Sequence, residues 1–184
     1  MQKVSVPYYK FTMEFELADD LEISELHIHA CEPIADFGAA VDEALAHPIA
    51  SKPIPELVKP GETAAVIISD MTRASYRTDL YLCKILNQLN AGGIPDENIT
   101  VVIACGYHAA ATEEEKRILA GEEACRRVRI ESHNCHADDL VHYGKTIRGN
   151  EVYINHTVAT ADHVILTGGI CYHTFAGFGG GRKS

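Results

Sequence analysis

Three short apolar runs constrain the fold of this chain more than any other feature. AAVIIS (64–69), ITVVIAC (99–105) and HVILTG (163–168) have no alternation of polar and apolar residues, and each is separated from the next by amphipathic or charged sequence. Runs this short and uniformly apolar read as strands buried on both faces, which requires a parallel sheet covered by helical crossovers.

The intervening sequence supports crossovers of that kind. Leu80, Cys83, Leu86, Leu89 and Asn90 belong to a helical stretch closed by Ala91-Gly92-Gly93, with Pro95 beyond it as a stop. Thr112 and Glu115 have the spacing of a capping box that opens another helix. VRIES (128–132) and EVYIN (151–155) read as short strands, with turn residues at both ends of the GKTIRGN segment between them.

Upstream the pattern is different. Phe11–Leu17 alternates apolar and polar residues, and after Ala-Asp-Asp the segment Leu21–His29 does so again, which predicts an antiparallel β-hairpin. His27 and His29 share one face of that second strand; a metal site is one reading, and a solvated polar face is the simpler one. Asp36–Ala46 has helical spacing of Phe37, Val41 and Leu45, and the proline-punctuated SKPIPELVKPG (51–61) then connects to the main unit. The expected architecture is α/β: a largely parallel, Rossmann-like sheet with flanking helices and an N-terminal β-hairpin. The hairpin region spans 1–35 and the main α/β unit 60–184.

Composition bears mainly on partners. Sixteen Lys and Arg against 26 Asp and Glu give a net charge of -10, and no basic patch stands out, so nucleic acid is not an expected partner. No apolar run approaches the roughly 18 residues of a membrane span, and the start MQKVSVPYYKF lacks the apolar core of a signal peptide, so the chain reads as cytoplasmic. The six cysteines form no C-x-x-C pair and read as reduced, mostly buried thiols. The ten histidines are many for this length, and they cluster after residue 100.

Each strong strand ends in a polar cluster: SDMTR (69–73), GYH (106–108) and GGICYH (168–173). Parallel strands bring their carboxyl ends to one edge, where open α/β sheets bind ligands. A lone aspartate at a strand end is often a helix cap, and a lone loop histidine is often solvated. The recurrence of polar groups at three equivalent positions is what nominates Asp70, Thr72, Arg73, His108 and His173 as one site.

Two further segments admit a bland reading beside a chemical one. FAGFGGGRKS (175–184) invites comparison with a phosphate-cradling G-x-x-x-x-G-K-[ST] loop, but Arg182 stands where its last glycine belongs. The alternatives are a phosphate- or nucleotide-binding module and a solvated glycine-rich terminus. His133-Asn134-Cys135-His136 holds three potential soft-metal ligands, yet adjacent residues of an extended segment point to opposite sides and cannot all reach one ion, which favours a polar loop over zinc.

Taken together, SDMTR, ACGYH, SHNCH and above all GICYHTFAGFGGGRKS resemble the nickel-dependent lactate racemase family, from about His47 to the last residue. The resemblance implies that Lys183 covalently carries a nickel pincer derivative of nicotinic acid mononucleotide through a thioamide, made by cofactor-synthesis enzymes. It implies that His108 and His173 are paired acid/base histidines, that Arg73 clamps the substrate carboxylate, and that Asp70 and Thr72 orient the cofactor or Arg73. The implied reaction is racemisation or epimerisation of a small 2-hydroxy acid by hydride transfer to the cofactor. The sequence departs from the family pattern in reading Gly-Tyr-His-Ala around His108, where threonine before and arginine after are usual. The family's C-terminal half, with its nickel-binding histidine and further substrate-binding residues, is absent from this sequence, so no metal ligand is assigned within it and the chain alone is expected to be inactive. A catalytically dead domain with a binding or structural role is the remaining alternative.

Overall fold

The computed structural model describes residues 1–25 and 31–183, except for the Arg182 side chain. It comprises two compact units, Met1–Ile34 and Ala35–Ser184.

In the first unit, β1 (Gln2–Tyr8) and β2 (Phe11–Leu17) form an antiparallel hairpin, paired Val4 to Phe15, Val6 to Met13 and Tyr8 to Phe11. A hairpin is therefore present, but the partner of Phe11–Leu17 precedes it rather than follows it. Pro7 argues against a strand in the sequence; on an edge strand its missing N–H costs no ladder bond. Residues 21–25 form no strand, and the remainder of that expectation, with His27 and His29, lies outside the described residues. The pairing puts Val4, Val6, Tyr8, Phe11, Met13 and Phe15 on one face.

The second unit begins with α1 (Phe37–Ala46), where Asp36 caps the N-terminus by accepting from the Ala39 N–H at 2.9 Å. After the short α2 (Ile54–Leu57) come β3 (Ala64–Ser69), α3 (Leu82–Ala91) and β4 (Ile99–Ala104). The helices α4 (Glu113–Ala120) and α5 (Glu122–Arg127) then lead into β5 (Arg129–Ser132). Thr112 and Glu115 form the predicted capping box. A second hairpin, β6 (Val141–Lys145) with β7 (Glu151–Ile154), is followed by α6 (His156–Thr160) and β8 (His163–Leu166). EVYIN is thus a strand, as predicted, but one outside the main sheet. The glycine-rich end folds back as β9 (Tyr172–His173) against β10 (Gly177–Phe178).

The main sheet is four-stranded and parallel, in the order β5-β4-β3-β8. The chain moves outward from β3 through β4 to β5, then returns to the other side of β3, so the direction of winding reverses between β3 and β8. Asp162 pins that return by accepting from the Thr63 N–H and hydroxyl at 2.8 and 2.9 Å. One face of the sheet presents Ala64, Val66, Ile68, Val101 and Ile103 to α3, α4 and α5. The other face buries only Ala65, Ile67 and Val102, packed with Val158 of α6 and Ala161.

Of the cysteines only Cys105 is buried, while Cys31 and Cys171 are exposed. The expectation of mostly buried thiols therefore fails: Cys83 and Cys125, on α3 and α5 rather than on the strands, pack against the margin of the core and are only partly buried. Cys83, Cys105, Cys125, Cys135 and Cys171 are free thiols. Among the described residues no helix is long and apolar enough to cross a membrane.

Candidate active site

A cavity of about 580 Å³ opens at the carboxyl edge of the sheet, on the thinly covered face. Ile67, Val102 and Leu166 from three parallel strands form its floor, and Val158 of α6 closes one side. It therefore lies at the winding reversal, where adjacent crossovers on opposite faces leave a crevice.

Asp70 follows directly on β3 and initiates the 3-10 turn Met71–Tyr76. Its side chain is only 8% exposed, and both carboxylate oxygens are engaged. Oδ2 faces Nδ1 of His108 in a short hydrogen bond, and Oδ1 accepts from the Thr72 hydroxyl at 2.6 Å. Arg73 Nη1 donates to the Thr72 oxygen at 2.8 Å and lies 3.6 Å from Asp70 Oδ1. Burial by itself would raise the Asp70 pKa. The hydrogen bonds from Thr72 and His108, with the charges of His108 and Arg73, outweigh it and hold the carboxyl below its ordinary value.

His108 sits in the turn after β4, where its N–H bonds to the Cys105 carbonyl at 2.9 Å and Gly106 takes a left-handed φ of 57°. A ring nitrogen facing a carboxylate carries its proton there, so His108 is held with Nδ1–H toward Asp70 and Nε2 on the opposite side of the ring. The ring is 57% exposed, open to an incoming molecule.

Lys183 reaches the same cavity from the glycine-rich end. The route depends on close backbone packing: a Cβ on Gly180, whose φ is 73°, would lie 2.7 Å from the Gly169 carbonyl oxygen, and one on Gly168 would lie 3.1 Å from the Gly180 Cα. No side chain fits either place, so glycine is required at both.

Asp70, Arg73, His108 and Lys183 thus surround one cavity, with Thr72 bonded to two of them. His173 is not among the residues lining it. It stands on β9, and its Nδ1 accepts the N–H groups of Phe175 and Ala176 at 3.2 and 3.1 Å. Its proton therefore resides on Nε2, the opposite tautomer to His108. Among the described residues no three His, Cys, Asp or Glu side chains are grouped so as to hold a metal, those around Cys135 included.

Sequence reasoning missed the contributions of His133, Tyr153 and Asn155 to the cavity wall. Asn155 caps α6, accepting from the Val158 N–H at 3.1 Å, and a hairpin-to-helix junction of this kind has a readable signal in EVYIN followed by HTVAT.

A parallel α/β domain with an aspartate-oriented histidine and a lysine at its winding reversal is the framework of a small-molecule enzyme site. Comparison with known proteins makes the class specific. The family model for the lactate racemase N-terminal domain matches residues 8–184. The lactate racemase of Lactiplantibacillus plantarum is 30% identical over 187 aligned residues, covering 100% of this chain and 44% of the relative. That of Thermoanaerobacterium thermosaccharolyticum is 27% identical, covering 100% and 43%. The structure of the lactate racemase apoprotein from the latter organism superposes with a TM-score of 0.74 at 26% identity, covering 99% of this chain and 42% of that one. This chain belongs to the lactate racemase family and corresponds to its N-terminal domain; it spans less than half the length of the relatives it matches.

Proposed function

We propose that this chain is the cofactor-holding, acid/base-bearing part of an isomerase that racemises or epimerises a small, lactate-like 2-hydroxy acid. The observation that carries the reading is the Asp70–His108 pair beside the cavity that Lys183 also lines.

Inversion of a 2-hydroxy acid needs a group that takes the hydroxyl proton and a second that returns one. His108 suits the first role, since Asp70 holds its Nδ1–H and leaves the Nε2 lone pair for the substrate. His173 suits the second, since two backbone N–H groups keep its proton on Nε2. The two rings start in complementary forms and exchange roles when the reaction runs backward. Bringing His173 to the cavity requires the β9–β10 hairpin to swing over it, with the glycines at 168–169 and 179–181 as hinges. Arg73 binds the substrate carboxylate through the guanidinium N–H groups that Thr72 leaves free. Asp70 and Thr72, whose polar atoms are all engaged by neighbours, orient His108 and Arg73.

A nickel pincer nucleotide tethered to Lys183 would supply the hydride acceptor that such a reaction needs, because the α-hydrogen is too weakly acidic to leave as a proton. The residues present fit this group. The Gly168 and Gly180 backbones keep side chains away from the approach to Lys183, and the cavity is of nucleotide size. This chain's part is to hold the group through Lys183, to orient the carboxylate and to move protons at Nε2 of the two histidines. A cytoplasmic setting and the involvement of cofactor-synthesis enzymes belong to the same reading.

The test is co-expression of the chain with cofactor-synthesis enzymes, followed by intact mass and nickel measurement. A nucleotide-sized mass increment with nickel is expected, lost entirely in Lys183→Ala and kept in His108→Ala. Absence of any increment, with nucleoside triphosphate binding instead, would establish the phosphate-binding alternative.

A further inference from the structure

The cavity contains one ring nitrogen that neither the fold nor the proposed proton transfers use. His133 follows β5, and its backbone N–H is bonded to the Ile103 carbonyl at 2.9 Å. Its Nδ1 is shut off from water and has no hydrogen-bond partner, the only buried side-chain nitrogen or oxygen in that condition among the described residues. A buried polar atom without a partner carries the whole cost of its lost hydration, so it needs an explanation.

The surroundings of His133 exclude a purely local one. Its backbone is pinned, and the adjoining Ser132 hydroxyl accepts from the Ala111 N–H at 3.0 Å, which ties the His108 loop to β5. The Tyr107 and His136 rings meet edge to face above the same loop. His133 is therefore held on a rigid support at the rim of the cavity. The only carboxylate among the cavity's lining residues, Asp70, is already engaged by Thr72 and His108. What remains to meet a ligand is the nitrogen groups of Arg73, Lys183, His108 and His133, with the hydroxyls of Ser69, Tyr107 and Tyr153 beside them.

The strand order fixes their spacing. His133 stands at the end of β5, Asp70 and Arg73 at the end of β3, and the Gly168–Gly180 approach to Lys183 at the end of β8. At about 4.8 Å per strand the ends of this row are roughly 14 Å apart, longer than a lactate-sized acid and comparable with a mononucleotide. We propose that His133 is a ligand-anchoring residue of this cavity, and that its Nδ1 hydrogen-bonds the end of a mononucleotide distant from Lys183. The imidazole turns about its Cβ–Cγ bond without changing the volume it fills, so the ring can present Nδ1 to a ligand atom once one lies beside it. This inference rests on the reading of the cavity as a nucleotide site.

The test is a titration of this chain with nicotinic acid mononucleotide, following histidine ring nitrogens by NMR and affinity by calorimetry. His133→Phe keeps the ring's bulk and removes its nitrogens, whereas His133→Asn places an amide nitrogen close to the position of Nδ1. We expect the His133 ring resonance, assigned by its loss in the phenylalanine variant, to move on binding. His133→Phe should raise Kd about tenfold and His133→Asn should recover most of that loss, as one hydrogen bond is worth. Melting curves should show both variants folded, with the phenylalanine variant at least as stable as the parent. An unmoved His133 resonance, or unchanged affinity in His133→Phe while the parent binds, overturns the inference and leaves the nucleotide site standing. No binding by the parent at millimolar mononucleotide overturns that reading, and the inference with it. Should the phenylalanine variant fail to fold, loss of the ring resonance in His133→Asn assigns it, and its movement or constancy on binding to the parent decides the question.

Discussion

The two faces of the four-stranded sheet are made of the same strands and behave in opposite ways. On the face under α3, α4 and α5, every inward residue of β3 is buried, and Leu82, Leu86 and Leu89 of α3 are fully enclosed. On the opposite face α6 is five residues long; Ala65, Ile67 and Val102 are covered, while Val164 and Leu166 of β8 remain 44% and 36% exposed. The first face stabilises the fold, and the second leaves room for a ligand. The difference teaches that the open face is where function can be changed without unfolding the domain.

The sharpest way to break this comparison is to separate rate from stability. In a protein that joins this domain to the further half its longer relatives have, His108→Ala should lower the interconversion of hydroxy acid enantiomers about 100- to 10 000-fold, the usual worth of an acid/base group. Its melting temperature should fall by only a few degrees, since the ring is more than half exposed and what is lost is its hydrogen bond to Asp70. A chiral assay beside a melting curve checks both, and a variant that unfolds instead would erase the distinction between the faces.

The converse substitution lies on the closed face. Ile68 is 0% exposed beneath the helices, so Ile68→Ala should cost about 2–5 kcal/mol of unfolding free energy, measured by denaturant titration.

Asp70 lies between these cases, because it is buried but serves the open face. Asp70→Asn should cost about 1–3 kcal/mol near neutral pH by breaking charged hydrogen bonds. The parent should also lose more stability in acid than the variant, which keeps the other depressed carboxylates but lacks this one. The folded-state pKa of Asp70 is depressed, so its contribution is complete above the unfolded value of about 3.9 and disappears as pH falls through the folded one. Denaturant midpoints across pH 2 to 7 test this, and NMR of the His108 ring should report loss of the Nδ1–H form in the variant.

The smallest effect belongs to the exposed edge. Val164→Thr should change stability by about 0.5 kcal/mol or less, because the side chain is already half in water. A larger loss would mean that the open face is packed more firmly than its exposure indicates.

The two units also differ in how far their sequences could be read. In the α/β unit the apolar runs at 64–69, 99–105 and 163–168 became β3, β4 and β8, and the capping box at Thr112 opened α4. In the hairpin unit the alternation at Phe11–Leu17 was correct, but its partner was misplaced. Either neighbour could pair with it, and the two-residue connection at Tyr9-Lys10, with Tyr9 at a φ of 54°, selects the preceding one. An isolated two-stranded ribbon is marginal in water, so its apolar face carries little information about its surroundings.

The site divides in the same manner. By itself, the sequence determined that Asp70, Arg73 and His108 would share one edge, because buried apolar runs can only be parallel strands and parallel strands end together. It also determined that the glycines before Lys183 would allow close backbone approach. Only the tertiary structure decided that both Asp70 oxygens are committed to Thr72 and His108, and that His173 stands outside the cavity with its Nδ1 capped by Phe175 and Ala176. It alone placed His133 on the wall with an unanswered nitrogen. The physical reason is that periodicity and composition encode which face a residue takes along its own strand, whereas hydrogen-bond partners are chosen between segments distant in the chain. Asp70 and His108 are 38 residues apart, and no local pattern at either position records the other.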